Sequence, residues 1–224
     1  MIAPTTEQEA KLDEALRESF PASDAPASLS EFEPEEESSI SNQLKVAVII
    51  GSLRKGAFSR MAGKALIELA PDTLALEIVE IGELSLFNQD LESDPPQSWV
   101  DFRDKVRPFD AVIFMAPEYN RSIPAPLKNA VDIGSRPPKE SVWDGKFGTV
   151  VSTSPGALGG ISSNNHLRQV LSAVDILLMP QPNVSIGQVS KLFDEDGKLV
   201  DEGTRKFLTS FMATFAAWLA KQKS

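Results

Sequence analysis

Lys45-Val46-Ala47-Val48-Ile49-Ile50-Gly51-Ser52-Leu53-Arg54-Lys55-Gly56-Ala57-Phe58-Ser59-Arg60 passes from an apolar run, through a glycine, into a polar loop. The uninterrupted apolar run at 46–50 predicts a strand buried on both faces, the habit of a parallel sheet. A helical pattern follows over 58–69 and stops at Pro71. A loop that leaves a strand and opens a helix has unpaired backbone N–H groups, and the helix dipole favours an anion among them. Ser52 and Ser59 add hydroxyl donors there, and Arg54 offers a planar fork that matches phosphate oxygens. The loop does not spell Gly-x-Gly-x-x-Gly and lacks the Gly-Lys-Ser/Thr ending of a triphosphate loop. It suits one terminal phosphate; the plainer reading is a turn with incidental polar residues.

The alternation continues outward. Further strands are expected at 76–81, 111–115, 147–151 and 176–179, and helices at 98–106, 126–133, 161–174 and 204–220, with 82–96 as a loop. Ser98 is expected to cap its helix, and Pro126 begins the next at a tolerated first-turn position. In the last helix Phe207, Leu208, Phe211, Phe215, Trp218 and Leu219 share one face, a core stripe and not a cofactor box. Five strands alternating with five helices predict a doubly wound α/β fold, a five-stranded parallel sheet with helices on both faces. Its order is either the Rossmann order or the flavodoxin-like 2-1-3-4-5, and both bind ligands beyond the carboxyl ends of the strands.

Two more loops therefore matter. After the third strand, residues 117–129 carry Pro117, Glu118, Tyr119, Asn120, Pro124 and Pro126; the prolines make a stiff wall suited to a flat ring, or an ordinary rigid connection. Tyr119 is the only tyrosine. After the fourth strand, residues 152–160 hold Ser154, Gly156, Gly159 and Gly160, which allow close backbone approach to a ligand. That loop has no Lys or Arg, so a ring edge fits it better than a second phosphate. His166, early in the following helix, is most simply a surface or capping residue.

The chain has 224 residues, a formal charge of −10 and 42% apolar residues, an ordinary globular composition. The charge is uneven. Residues 1–44 carry eleven acids against Lys11 and Arg17, −9 of the total, and are rich in Ser, Pro and Ala. They read as an acidic, mostly disordered extension ahead of a single domain at 45–224. Leu12, Leu16 and Phe20 recur at a spacing of four, so residues 6–20 are a candidate docking helix for a partner. The absence of cysteine excludes disulfides and thiolate chemistry, and one histidine argues against zinc. Asp194-Glu195-Asp196-Gly197 lacks the spacing of a calcium loop and reads as a solvated turn, so no metal is expected. With no membrane-length apolar run, no secretory signal and no basic surplus, the expectation is a cytoplasmic protein without membrane or nucleic-acid partners.

Together the loops resemble the NADPH-dependent FMN reductase family, flavodoxin-fold enzymes that include quinone, chromate and azo-dye reductases. The resemblance spans Lys45 to the C-terminus and is carried by Gly-Ser-Leu-Arg-Lys-Gly at 51–56, Pro-Glu-Tyr-Asn at 117–120 and Pro-Leu-Lys-Asn-Ala at 126–130. It implies the order 2-1-3-4-5, FMN as cofactor, NADPH or NADH as reductant, and a quinone, flavin or similar small acceptor. Hydride would pass through flavin N5 in ping-pong fashion. It further implies that Ser52, Arg54 and Ser59 hold the FMN phosphate, and that Pro117, Glu118, Tyr119 and Asn120 support the isoalloxazine largely through backbone groups. Ser154, Gly156, Gly159 and Gly160 would flank the ring's other edge. No side chain need act as acid or base, so no catalytic residue is named. Such reductases form homodimers or homotetramers, which would leave His166 a second role near a neighbouring subunit's site. Two departures stand out: Ile133-Gly134 follow Asp132 where relatives often carry an aromatic, and Phe58-Ser59-Arg60 stand where Asn or Ser is common. The competing readings are a flavodoxin-like single-electron carrier and a flavin-binding interaction module that uses the acidic tail.

Overall fold

The central strand β1 (Leu44–Ile50) pairs in parallel with β2 (Leu74–Val79) on one side and β3 (Ala111–Pro117) on the other, Val48 lying between Ile78 and Ile113. The computed structural model describes residues 43–223. The acidic extension up to residue 42, with the docking-helix expectation at 6–20, lies outside them. Beyond β3, β4 (Phe147–Thr153) pairs in parallel, and β5 (Leu177–Leu178) and β6 (Val184–Ile186) both pair β4. The main order is the expected 2-1-3-4-5.

Right-handed crossovers place helices on both faces, and alternate strand residues feed two apolar layers. Val46, Val48, Ile50, Ile113, Met115 and Val151 pack against α1 (Phe58–Glu68) and α5 (Glu202–Lys223). Ala47, Ile49, Val112, Phe114 and Val150 face α2 (Gln97–Val106), α3 (Ala125–Gly134) and α4 (Ile161–Ser172). β1 from Val46 to Ile50 and β3 from Ala111 to Ala116 are at most 2% exposed, which is why both read as continuous apolar runs. No helix among the described residues is long and apolar enough to cross a membrane.

Several expectations are revised. The fifth strand is two segments: β5 pairs Phe147 and Gly148, whereas β6 pairs Val151 to Thr153. Pro180 and Pro182 lie between them, and proline has no N–H to donate to the ladder. β2 spans 74–79, displaced toward the N-terminus from 76–81, although Ile81 is still buried at 3% exposure. Ser98 does not cap α2; the helix begins at Gln97 behind Pro96, without a side-chain cap. Phe207 leaves the core stripe and stands 46% exposed, while Met212 takes a buried place with Leu208, Phe211, Phe215 and Leu219.

Candidate functional site

Loops from β1, β3 and β4 converge beyond the carboxyl ends of the strands around an open cavity of about 380 Å³. Ser52, Arg54, Ser59, Pro117, Glu118, Tyr119 and Ser154 line it, together with Ala57, Phe58, Thr153, Pro155 and Val189. Asn120, Gly156, Gly159 and Gly160 do not; they belong to the turns that back the lining. Val189 comes from a short 3-10 turn after β6, where no periodic signal marks it.

The β1 loop starts tightly. Gly51 donates its N–H to the Met115 carbonyl at 2.9 Å, and a Cβ there would stand 2.9 Å from that same oxygen. Only glycine lets β1 turn so close to β3. Ser52 is buried, and its Oγ accepts from the Arg54 N–H at 3.3 Å. α1 then opens at Phe58 behind an extended Ala57 without a side-chain cap, so its first N–H groups face the cavity end of the loop. Ser59 is 1% exposed, and its Oγ finds no hydrogen-bond partner among the described residues. A buried hydroxyl without a partner is costly unless something else accepts from it or donates to it.

Charge at this end is already divided. Arg60 grips Glu80 through two 2.7 Å hydrogen bonds, which hold the Glu80 carboxyl below its ordinary range. That leaves Arg54, whose guanidinium lies 5.4 Å from the centre of the Phe58 ring, to meet an anion at the cavity. The other helix N-terminus at the site is occupied. Glu118 Oε2 accepts from the N–H groups of Ser162 and Ser163 at 3.0 and 3.3 Å, supplying the cap that α4 lacks in its own segment. A phosphate is therefore favoured at α1 and opposed at α4.

Tyr119 to Ser122 form a tight turn, closed by backbone hydrogen bonds of 3.1 and 2.9 Å between those two residues, with Asn120 and Arg121 at φ 50° and 64°. The Tyr119 hydroxyl shares a hydrogen with Ser52 Oγ at 3.1 Å, so the phenol reaches the β1 loop. On the far side Ser122 Oγ meets His166 Nδ1 at 2.9 Å. His166 is exposed on α4 and linked to this turn. The glycine-rich β4 loop is tied to β6: Ser154 donates its N–H to the Ile186 carbonyl at 3.0 Å, and a Cβ on Gly159 would stand 2.5 Å from the Ser185 carbonyl carbon. Gly159 and Gly160, at φ 63° and 79°, deliver the chain into α4.

An anionic, partly flat cofactor such as FMN fits these groups: a hydroxyl and an arginine guanidinium without polar partners among the described residues, and an uncapped helix start at one end, with a proline-stiffened wall beside them. Comparison with known proteins agrees. The profile of the NADPH-dependent FMN reductase family matches residues 44–191. A quinone reductase of Pseudomonas putida is 50% identical over 181 residues, covering 80% of this chain and 97% of that protein. A 2-hydroxy-1,4-benzoquinone reductase of Burkholderia is 42% identical over 180 residues, covering 80% and 98%. Among solved structures, a flavoenzyme NAD(P)H:(acceptor) oxidoreductase from Paracoccus denitrificans superposes with a TM-score of 0.74 at 37% identity, over 80% of this chain and 98% of that one.

Proposed function

This chain belongs to the NADPH-dependent FMN reductase family, and on that premise we propose that its loop-lined cavity holds FMN for the reduction of a quinone by NAD(P)H. It is an oxidoreductase with FMN as cofactor and NAD(P)H as reductant. Held by Ser52, Arg54 and Ser59, FMN would supply two-electron hydride chemistry at N5 linking NAD(P)H to the quinone, in ping-pong fashion.

The chain's own residues bind and orient. Ser52, Ser59 and the first N–H groups of α1 donate to the phosphate, and Arg54 neutralises its charge. The orphaned Ser59 Oγ is the observation that carries this assignment. Pro117 to Asn120 form the wall beside the ring. The backbone around Gly156, Gly159 and Gly160 sets Ser154 and Pro155 against the cavity's opposite edge. Glu118 keeps α4 from competing for the phosphate. No side chain would be needed as acid or base, because hydride transfer needs none and water can supply the proton of the hydroquinone. The same reading takes the enzyme as a cytoplasmic homodimer or homotetramer acting on small-molecule acceptors.

Anaerobic absorbance spectra of the flavin-loaded protein test it. NADPH should bleach the flavin bands directly to the two-electron form, and a quinone should restore them. Bound flavin that ignores NADPH, or that rests in a one-electron state, would instead identify a single-electron carrier. No flavin retained in excess FMN would overturn the phosphate assignment.

A further inference from the structure

We propose that His166 is a positioning residue for FMN binding: its imidazole sets the Tyr119–Ser122 turn and so holds the Tyr119 phenol against the phosphate loop. The inference rests on the reading that the cavity holds FMN.

The turn needs outside support. Asn120 and Arg121 both occupy left-handed backbone, which residues other than glycine resist, asparagine less than arginine. Besides its own backbone pair, an Arg121–Glu118 ion pair at 3.8 Å and a hydrogen bond from Ser163 Oγ to the Pro117 carbonyl at 3.0 Å, the turn is fastened at three points. At its root Glu118 accepts from Ser162 and Ser163; at one flank the Tyr119 hydroxyl meets Ser52; at the other Ser122 Oγ meets His166 Nδ1. The N–H groups that hold Glu118 open α4, and His166 stands one turn further along the same helix. Two anchors on one rigid helix fix the direction of the turn as well as its place. Without the imidazole the turn keeps its hinge at Glu118 and is free to pivot, carrying the phenol off Ser52. A helix that contributes no lining residue to the cavity thereby reaches the phosphate loop through two side-chain hydrogen bonds and one backbone pair.

The test titrates FMN into flavin-free wild type and the variants H166A, H166N, H166Q and S122A, following the quenching of FMN fluorescence. An asparagine amide stands near the position of Nδ1, whereas a glutamine amide reaches toward Nε2. One partly solvated hydrogen bond predicts a loss of about three- to tenfold in FMN affinity for H166A, H166Q and S122A, with H166N within about twofold of wild type. The double variant H166A/S122A should bind no more weakly than H166A alone, because both changes remove the same bond. A second readout needs no flavin. Tyr119 is the only tyrosine, so its ring gives a single isotope-edited NMR signal, which should move in flavin-free H166A and S122A and return in H166N. Wild-type affinity in H166A, or a loss in H166N equal to that in H166A, would overturn the proposal. Failure of the wild type to bind FMN would overturn the cofactor reading instead, and the Tyr119 signal would still report whether the imidazole sets the phenol.

Discussion

Ser59 is buried, sits in the first turn of α1 and has no hydrogen-bond partner among the described residues. Removing a buried hydroxyl normally costs stability when its partners lose a bond, but here there are none to lose. Ser59→Ala should therefore leave the melting temperature of the flavin-free protein unchanged or raised. The same change should weaken FMN by about tenfold, the low end for one hydrogen bond to a charged group. Opposite signs in two measurements distinguish a ligand-binding hydroxyl from a packing one. Arg54 should matter more, because its guanidinium brings a positive charge and a fork of N–H donors to the phosphate; Arg54→Ala should weaken FMN about 10- to 100-fold by fluorescence titration. That loss should fall on cofactor retention more than on the turnover of the loaded enzyme.

At the scale of elements, the third motif of the resemblance works away from the cavity lining. Asn129 of α3 is 7% exposed; its Oδ1 accepts from the Phe87 N–H at 2.7 Å and its amide donates to the Ser85 carbonyl at 3.0 Å. Trp99 of α2 donates its indole N–H to the same Ser85 carbonyl at 3.2 Å. The long connection between β2 and α2 is thus pinned by two helices. The end of α3 packs against the connection that follows it. A Cβ on Gly134 would stand 2.4 Å from Trp143, whose indole is fully buried and donates to the Val131 carbonyl at 2.8 Å. The connection to β4 thus places an aromatic against the helix end. Gly134→Ala should destabilise by about 1–3 kcal/mol through overpacking, read as a shift of the urea midpoint. Trp143→Phe, which trims the ring at the point of collision but gives up the bond to Val131, should cost less beside Gly134→Ala than it does alone.

At the scale of the whole molecule, the strand ends opposite the cavity are joined by Asp110. Its carboxylate accepts from the Lys45 N–H at 2.8 Å and pairs with Lys223 at the end of α5, so it ties β1 and β3 to the last helix. Burial alone would raise its pKa, but the hydrogen bonds from Lys223 and Lys45, with Lys146 nearby, hold the carboxyl below its ordinary range. A depressed carboxyl contributes stability above its unfolded pKa of about 3.9 and loses that contribution as pH falls through the folded value. Asp110→Asn should therefore lower the urea midpoint at pH 7, with the gap from wild type closing below about pH 4. Solvent screening of this partly exposed cluster keeps the effect under about 1 kcal/mol, and added salt should shrink it further.

A parallel sheet wound on both sides, and the loops that stand at its carboxyl end, are legible from the residues in order. Apolar runs such as 46–50 and 111–115, and the helical stripes between turn formers, are written in neighbouring residues, because periodicity and turn chemistry are local. The positions of Ser52, Arg54, Ser59 and Tyr119 on those loops were legible for the same reason. Tertiary structure decided how hydrogen bonds and charges are shared between distant residues. Nothing near Glu118 says that it will cap a helix 44 residues away, or near Arg60 that Glu80 will claim it. Nor do three residues at 184–186 announce a strand, since they become one only when β4 offers them its edge. Which helix start stays open to a phosphate follows from that competition, and competition among partners is settled only once the chain has brought them together.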